Sequence, residues 1–403
     1  MSKHKANFRR WWRPPRSLSE REEERRISFL ELFYDLVYVV LIAEISHGLA
    51  GHLDPGGLAQ FAFLFVLVWL AWVNGSLYHD FHGHDDIRTR VYTFLQMGTV
   101  ASMAVFAHSA FGPGGVGFAL SFAAYQLLLT SLWWQSGVHD VHHRPLSTPY
   151  SAAFLLSATM FGVSAFVDAS LRNLLWGLGL LLSIAAPIGI SLLRPKEEEV
   201  KAQLARSMEV SASAVERFAL LTLIVLGEVI VGVVRGVAAN DHPDMQLLVA
   251  AALGLGVAFS LWWLYFDFVS TRHPHPGPVW TMGWMYLHLV VTMGIVVVGA
   301  GTLNVIEHAG EPLSPGVRLF LTGALVAVLV GTAGLMRTLK VSAAHAVLYR
   351  KATWITLGAA GVVAVLGAVP LSSIPLLAGL LLVLLLPVLY GVQVWIDVNG
   401  EAH

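Results

Sequence analysis

The chain has 403 residues, 56% of them hydrophobic and only 13% charged, with a mean hydropathy of +0.66. A soluble protein carries about a quarter charged residues. Here the apolar residues come in long blocks instead, many about 18 residues or more without a charge, the length of a bilayer-spanning helix. A soluble enzyme, a disordered protein and a disulfide scaffold are excluded, and the absence of Cys removes thiol catalysis, Cys-ligated zinc and iron–sulfur clusters. The net charge of −1 conceals a strong asymmetry along the chain.

Taken in order, the blocks predict an all-α polytopic membrane protein of about twelve spans. They lie at roughly 28–50, 57–79, 90–111, 116–137, 150–168, 172–193, 214–235, 246–270, 279–305, 316–337, 351–370 and 373–396. The second, fourth, eighth and ninth carry Trp near their ends, as interfacial anchors do. The last two, Trp354–Val369 and Ile374–Val394, hold almost no polar groups and read as packing or lipid-facing helices. A basic tail, 1–27, precedes the first span with Lys3, Lys5, Arg9, Arg10, Arg13, Arg16, Arg21, Arg25 and Arg26. It has no small-residue cleavage site, so it reads as a topology signal that also touches anionic lipids.

Orientation follows from the basic residues. With the N-terminus inside, the inner loops add Arg88, Arg90, Arg144, Arg194, Lys196, Lys201, Arg206, Arg272, Arg337, Lys340, Arg350 and Lys351 to the tail. Arg217 falls near the inner end of span seven, and only Arg172, Arg235 and Arg318 fall outside. The split, 21 to 3, predicts cytoplasmic termini, an even number of spans and a multi-pass membrane protein.

The halves echo one another. Tyr78-His79-Asp80-Phe81 closes span two and Tyr265-Phe266-Asp267-Phe268 closes span eight; Phe94-Leu95-Gln96-Met97 resembles Tyr286-Leu287-His288-Leu289. Spans one and seven each open with a Glu followed two residues later by Phe (Glu31, Glu216) and carry a second Glu further out (Glu44, Glu228). With six spans per half, the expectation is two parallel six-helix repeats, 28–193 and 214–396. A cytoplasmic linker, 194–213, joins them, its KEEEVKAQLARSMEV run reading as a short helix, and a tail, 397–403, follows.

Ionisable groups inside a membrane are costly and are functional candidates by default. Glu31 and Asp35, four apart, share a helical face near the inner end of span one, and Glu44 and His47 share another near its outer end. The predicted topology gathers Glu31, Asp35, Asp80, Glu216, Arg217, Asp267 and His288 in an inner layer, with Glu44 and Glu228 in an outer one. Taken singly, each of these groups also has a structural reading: Arg217 as the salt-bridge partner of Asp35 or Asp267, and His288 as a satisfied core histidine. Together the layers resemble a proton or cation path, with acceptors at successive depths.

At Phe29-Leu30-Glu31-Leu32-Phe33-Tyr34-Asp35-Leu36-Val37-Tyr38-Val39-Val40, closing on Glu44-Ile45-Ser46-His47, the sequence resembles the low temperature requirement protein A (LtrA) family. Val215-Glu216-Arg217-Phe218 with Leu226-Gly227-Glu228, and Trp262-Trp263-Leu264-Tyr265-Phe266-Asp267 with Tyr286-Leu287-His288, match two further elements of that family. The resemblance covers roughly residues 27–395 in order, with three independent motifs. It implies Glu31, Asp35, His47, Glu216, Arg217, Glu228, Asp267 and His288 as the characteristic polar positions. Glu44 stands where the family often has Gln. Phe33-Tyr34-Asp35 is also distantly similar to the FSD signature of potassium or proton channels built from two six-helix repeats.

Histidines crowd the inner loops: His79, His82 and His84 after span two, and His139, His142 and His143 after span four. His139-x-x-His142-His143 has the spacing of a histidine box in membrane di-iron enzymes. The competing reading is solvated loop residues, and no cofactor is expected. The leading functional expectation is a channel or transporter for protons or a small cation. In it Glu31, Asp35 and Glu228 conduct, Arg217 and Asp267 hold geometry, and His288 relays protons. The alternatives are an intramembrane enzyme acting on a lipid or isoprenoid, with Trp69, Trp72, Trp262 and Trp263 as walls, and a non-catalytic membrane protein of stress adaptation. Expected partners are membrane lipids, a small cation or small lipophilic ligand and a second copy of the chain. No Walker motif, GxSxG elbow, HExxH or dinucleotide fingerprint occurs, and nucleic-acid binding has no support.

Overall fold

A computed structural model describes residues 13–20, 27–191, 196–309 and 312–400. The tail residues Lys3, Lys5, Arg9, Arg10, Arg21, Arg25 and Arg26, Arg194 of the linker and 401–403 lie outside them. Among the described residues the chain is α-helical apart from one isolated bridge, Pro274 with Leu339.

Twelve long helices and one short one follow a single 3-10 turn at Leu18–Glu20. They are α1 (Phe29–Ala50), α2 (Pro55–His82), α3 (Ile87–Ala107), α4 (Gly115–His139), α5 (Arg144–Ser164) and α6 (Ala169–Ser191). The short α7 (Glu198–Ser207) precedes α8 (Ala212–Ala238), α9 (Met245–Phe268), α10 (Pro278–Glu307), α11 (Pro315–Thr338), α12 (Ala343–Ala368) and α13 (Ser373–Gly400). Each long helix overlaps one stretch expected from hydropathy. Nine helical stretches among the described residues are long and apolar enough to cross a bilayer. The helices α1, α3 and α5 are not among those nine, and they are the polar ones. The first carries Glu31, Asp35 and Glu44, the second Arg88 and Arg90, and the third Arg144 with four serines.

Local chemistry sets the helix starts. Asp86, Asp244 and Ser314 each accept a backbone N–H from the first turn of α3, α9 and α11, at 2.9, 2.8 and 3.3 Å. Pro55, Pro278 and Pro315 stand at first helical positions, where no intrahelical N–H is needed. The expected linker helix is present as α7, α2 runs past its hydropathy limit to His82 and α4 to His139, and α13 continues through Gly400.

The chain forms two compact units. One comprises Met1–Ile45, Phe63–Arg217 and Pro276–Pro278; the other comprises Ser46–Ala62, Phe218–His275 and Val279–His403. The first is built around the α3–α4–α5–α6 succession and an aromatic stack in which Phe118, Phe122, Phe161 and Trp176 are all buried. Trp176 donates its indole N–H to Ser164 at 2.8 Å, so even this apolar core spends its one polar atom. In the second unit α9 packs on α13, and α12 packs on both α11 and α13. The backbones of α10 and α11 approach closely through Gly294 and Gly331, where an added methyl would press on Val328 at 2.7 Å and on Val291 at 2.8 Å.

Candidate functional site

The first turn of α1 explains Glu31. Its carboxylate accepts the Ser28 backbone N–H at 2.9 Å while Ser28 Oγ accepts the Glu31 N–H at 3.3 Å. This is a capping box, written in the sequence as Ser-x-x-Glu. One turn further on, Asp35 is fully buried and its Oδ1 takes two donors. Arg217 Nη2 lies at 2.6 Å and the Trp72 indole N–H at 2.8 Å. The side chains of the ion pair are 3% and 1% exposed, so almost no water screens it.

The pair is incompletely satisfied. Asp35 Oδ2 and Arg217 Nε and Nη1 are buried and find no hydrogen-bond partner among the described residues. The guanidinium lies 5.6 Å from the Tyr34 ring centroid and 5.9 Å from that of Trp72, which spreads its charge over two aromatic faces. Glu31 adds a second carboxylate close enough to act on Arg217.

A chain of phenols fixes the floor of the cluster. Tyr125 donates to the Ala71 carbonyl at 2.7 Å, which leaves its oxygen to accept from Tyr34 at 2.8 Å. Tyr34 in turn accepts from Tyr38 at 3.1 Å. All three rings are buried. Gly75 makes the arrangement possible, because a Cβ there would collide with the Tyr34 hydroxyl and sit 2.6 Å from that of Tyr125.

The remaining inner-layer residues part company. Asp80 is buried, and its Oδ1 accepts from Ser211 and Ser213, which clasps the start of α8. Glu216 is exposed. Its neighbour Arg217 points inward, and consecutive helical residues are rotated by about 100°. Asp267 is exposed too and accepts the Trp263 indole N–H at 2.7 Å, so it does not belong to a buried layer. His288 is buried with both nitrogens engaged: Nδ1 donates to the Trp284 carbonyl at 2.8 Å and Nε2 accepts from Tyr265 at 2.9 Å.

The two outer carboxylates sit in different surroundings. Glu44 lines an open groove of about 670 Å³ with Phe33, Leu36, Val37, Val40, Ala104 and Val105, an apolar wall with one acid in it. Glu228 lines a small cavity of about 20 Å³ with Ser46, His47 and Arg235. That is room for one water among polar groups.

Of the histidines, His139 and His142 are exposed and His84 is half-buried, whereas His79, His82 and His143 are buried. No three of His, Asp and Glu come together as metal ligands among the described residues. His79 Nε2 meets Gln96 Oε1 at 3.2 Å. His82 and His143 meet each other, with ring centroids 4.7 Å apart. They are therefore neither solvated loop residues nor members of an assembled multi-histidine box. Next to them, burial opposes ionisation of Asp140, but donors from Ser17, Gln203 and the His143 backbone hold its carboxyl below the usual range.

The tyrosine triad, Gly75 and the indole of Trp72 as a ligand of Asp35 were invisible to sequence reasoning. Tyr34 and Tyr38 stand four apart on one face, but Tyr125 is 91 residues from Tyr34. The capping role of Glu31, by contrast, was available in its spacing from Ser28.

The sequence profile of the family described as bacterial low temperature requirement A protein (LtrA) matches residues 26–391. An uncharacterized protein, RA0937, of Rhizobium meliloti (strain 1021) is 24% identical over 330 residues, 79% of this chain and 79% of that protein. The matched span takes in the capping box, Asp35, the tyrosine triad, Arg217 and all the long helices except the end of α13. The chain belongs to the LtrA family and is a multi-helix membrane protein.

Proposed function

We propose that the protein passes protons or a small monovalent cation across the bacterial cytoplasmic membrane, with Asp35 as the exchanging carboxylate. One observation carries the reading: a membrane-buried ion pair in which one carboxylate oxygen and two guanidinium donors are unspent. A purely structural pair gains from saturating its hydrogen bonds, because buried unpaired polar atoms cost about 1–3 kcal/mol each. The unspent groups are the ones an exchange needs. A proton or cation arriving at Oδ2 weakens the hold of Asp35 on Arg217, and the guanidinium, kept in place by Tyr34 and Trp72, restores the pair when it leaves.

Glu31 brings a second carboxylate to bear on Arg217. The water-sized cavity lined by His47 and Glu228 supplies a second polar station. Cytoplasmic termini and two parallel six-helix repeats complete the proposal, supported by the 21 to 3 division of basic residues and the paired motifs. Asp80, Asp267 and His288, each committed to fixed local partners, act in it as packing groups.

The test is ion flux into proteoliposomes under imposed proton, potassium and sodium gradients. Wild-type protein should conduct one of these, Asp35→Asn should abolish conduction, and Glu228→Gln should reduce it. Flux no greater than that of empty vesicles for every gradient ends the proposal.

The groove of Glu44 favours a second reading, an intramembrane site for a lipophilic substrate. Its volume of about 670 Å³ lies in the range of small-molecule sites, and a lone carboxylate in an apolar wall is a ready proton donor. Native mass spectrometry showing a lipophilic molecule retained by wild type and lost in Glu44→Leu, with flux absent throughout, would select it.

A further inference from the structure

Where the His82 end of α2 meets the α4–α5 turn and α7, two buried imidazoles are held in one tautomer by different means. His82 Nδ1 lies 2.8 Å from the Arg16 carbonyl, which only accepts, so that nitrogen carries the hydrogen. His143 Nδ1 lies 3.0 Å from Gln203 Oε1. The orientation of the Gln203 amide is itself fixed, because its Nε2 donates to the Asp140 carboxylate at 3.1 Å. His143 Nδ1 therefore also carries its hydrogen. Both Nε2 atoms are left with bare lone pairs, and both are buried with no partner among the described residues.

We infer that His82 and His143 form a two-imidazole site for a divalent transition-metal ion of the zinc type, bound through both Nε2 atoms. Three features support it. Metal-bound histidines nearly always donate their second nitrogen to a carbonyl or to a carboxylate-linked group, and both do so here before any metal arrives. The spacing fits a bent pair: with metal–nitrogen bonds of about 2.0–2.1 Å, each ring centroid stands roughly 3.2 Å from the ion, so ligands at about 95–110° place their centroids about 4.7–5.2 Å apart and in-line ligands about 6.4 Å. The observed separation is 4.7 Å.

The third feature is Trp133, whose ring lies 5.7 Å from His82 and 6.1 Å from His143 and whose buried indole N–H has no partner among the described residues. It is a donor suited to the oxygen of a metal-bound water. The nearby Asp140 carboxylate offsets part of the ion's charge. Asp140 lies one hydrogen bond behind His143 through Gln203, while the opposing guanidinium of Arg16 is engaged at 2.8 Å by the Asp80 carbonyl. With two protein ligands the site is open, and the ion exchanges readily.

The experiment uses tag-free, full-length protein in lipid nanodiscs and chelator-treated buffer, titrated with Co2+ and then Zn2+. About one equivalent of Co2+ should develop the intense visible bands of a low-coordinate ion, and Zn2+ should displace it. His82→Gln and His143→Gln should each abolish the bands. Gln203→Leu, which frees the His143 tautomer, should weaken binding roughly ten- to a hundredfold. The exposed pair His139→Ala/His142→Ala should bind as wild type does. X-ray absorption on Zn2+-loaded wild type should show two imidazole ligands, a measurement that stands even where a histidine variant does not fold. Absence of Co2+ and Zn2+ binding by wild type, binding that survives in His143→Gln, binding lost in the His139/His142 variant, or a shell without two imidazoles would each overturn the assignment.

Discussion

Two buried polar clusters invite comparison: Asp35–Arg217 in one compact unit and Tyr265–His288 in the other. Both lie on long helices, and both include a group singled out as a rare ionisable residue in a membrane. Their hydrogen-bond accounts differ. His288 spends both nitrogens on fixed local partners, the Trp284 carbonyl and the Tyr265 hydroxyl. Asp35 and Arg217 share one strong contact and keep three polar atoms in reserve. Burial alone therefore does not distinguish the two clusters; unspent hydrogen-bonding capacity does. Burial itself separates Glu31 from Glu216 and Asp80 from Asp267, pairs alike in sequence of which only the first member is buried.

The comparison breaks most sharply at Arg217. Arg217→Met leaves the Asp35 carboxylate buried without its counter-ion, held by the Trp72 indole alone, and should cost about 3–5 kcal/mol, read as a lowered unfolding midpoint in detergent. Asp35→Leu combined with Arg217→Met should recover most of that loss while leaving flux at background. A double variant that still conducts would strip the pair of any role in transport. Next in size is Gly75→Ala, which drives a methyl into the Tyr34 and Tyr125 hydroxyls; overpacking of this kind costs about 1–3 kcal/mol and should reduce flux along with stability.

At the other cluster, Tyr265→Phe strips His288 Nε2 of its donor. The expected loss is about 1–2 kcal/mol in thermal unfolding with flux per folded molecule unchanged. A flux defect there would return His288 to the path. Smallest is the contrast between the opening glutamates. Glu31→Ala removes half of a capping box and should cost about 1 kcal/mol, whereas Glu216→Ala, on an exposed surface, should stay within about 0.5 kcal/mol. Equal losses would mean that the two helix starts are alike after all.

Much of the fold was legible because long apolar blocks have few alternatives in a bilayer, and every expected block has its helix. Asp35 and Arg217 were legible as costly charges. Their partnership was not, because it links residues 182 apart through a rotation of α8 that no local pattern records. The divergence of Glu216 from Glu31 has the same cause: turning Arg217 inward turns its neighbour outward. His82 and His143 were legible as histidines near a membrane surface, but their burial depends on α2 and α4 continuing past their hydropathy limits and on α7 supplying Gln203. The tyrosine triad offered only the i,i+4 pair of Tyr34 and Tyr38.

That triad has a consequence for leakage. Its three hydrogens run one way, from Tyr38 to Tyr34 to Tyr125, and the last acceptor is the peptide oxygen of Ala71, which has no hydrogen to pass on. A row of phenols that ends on a carbonyl is an insulator rather than a wire. If Asp35 exchanges a cation as proposed, the triad gives it no outlet, and the exchange runs through the unspent Oδ2.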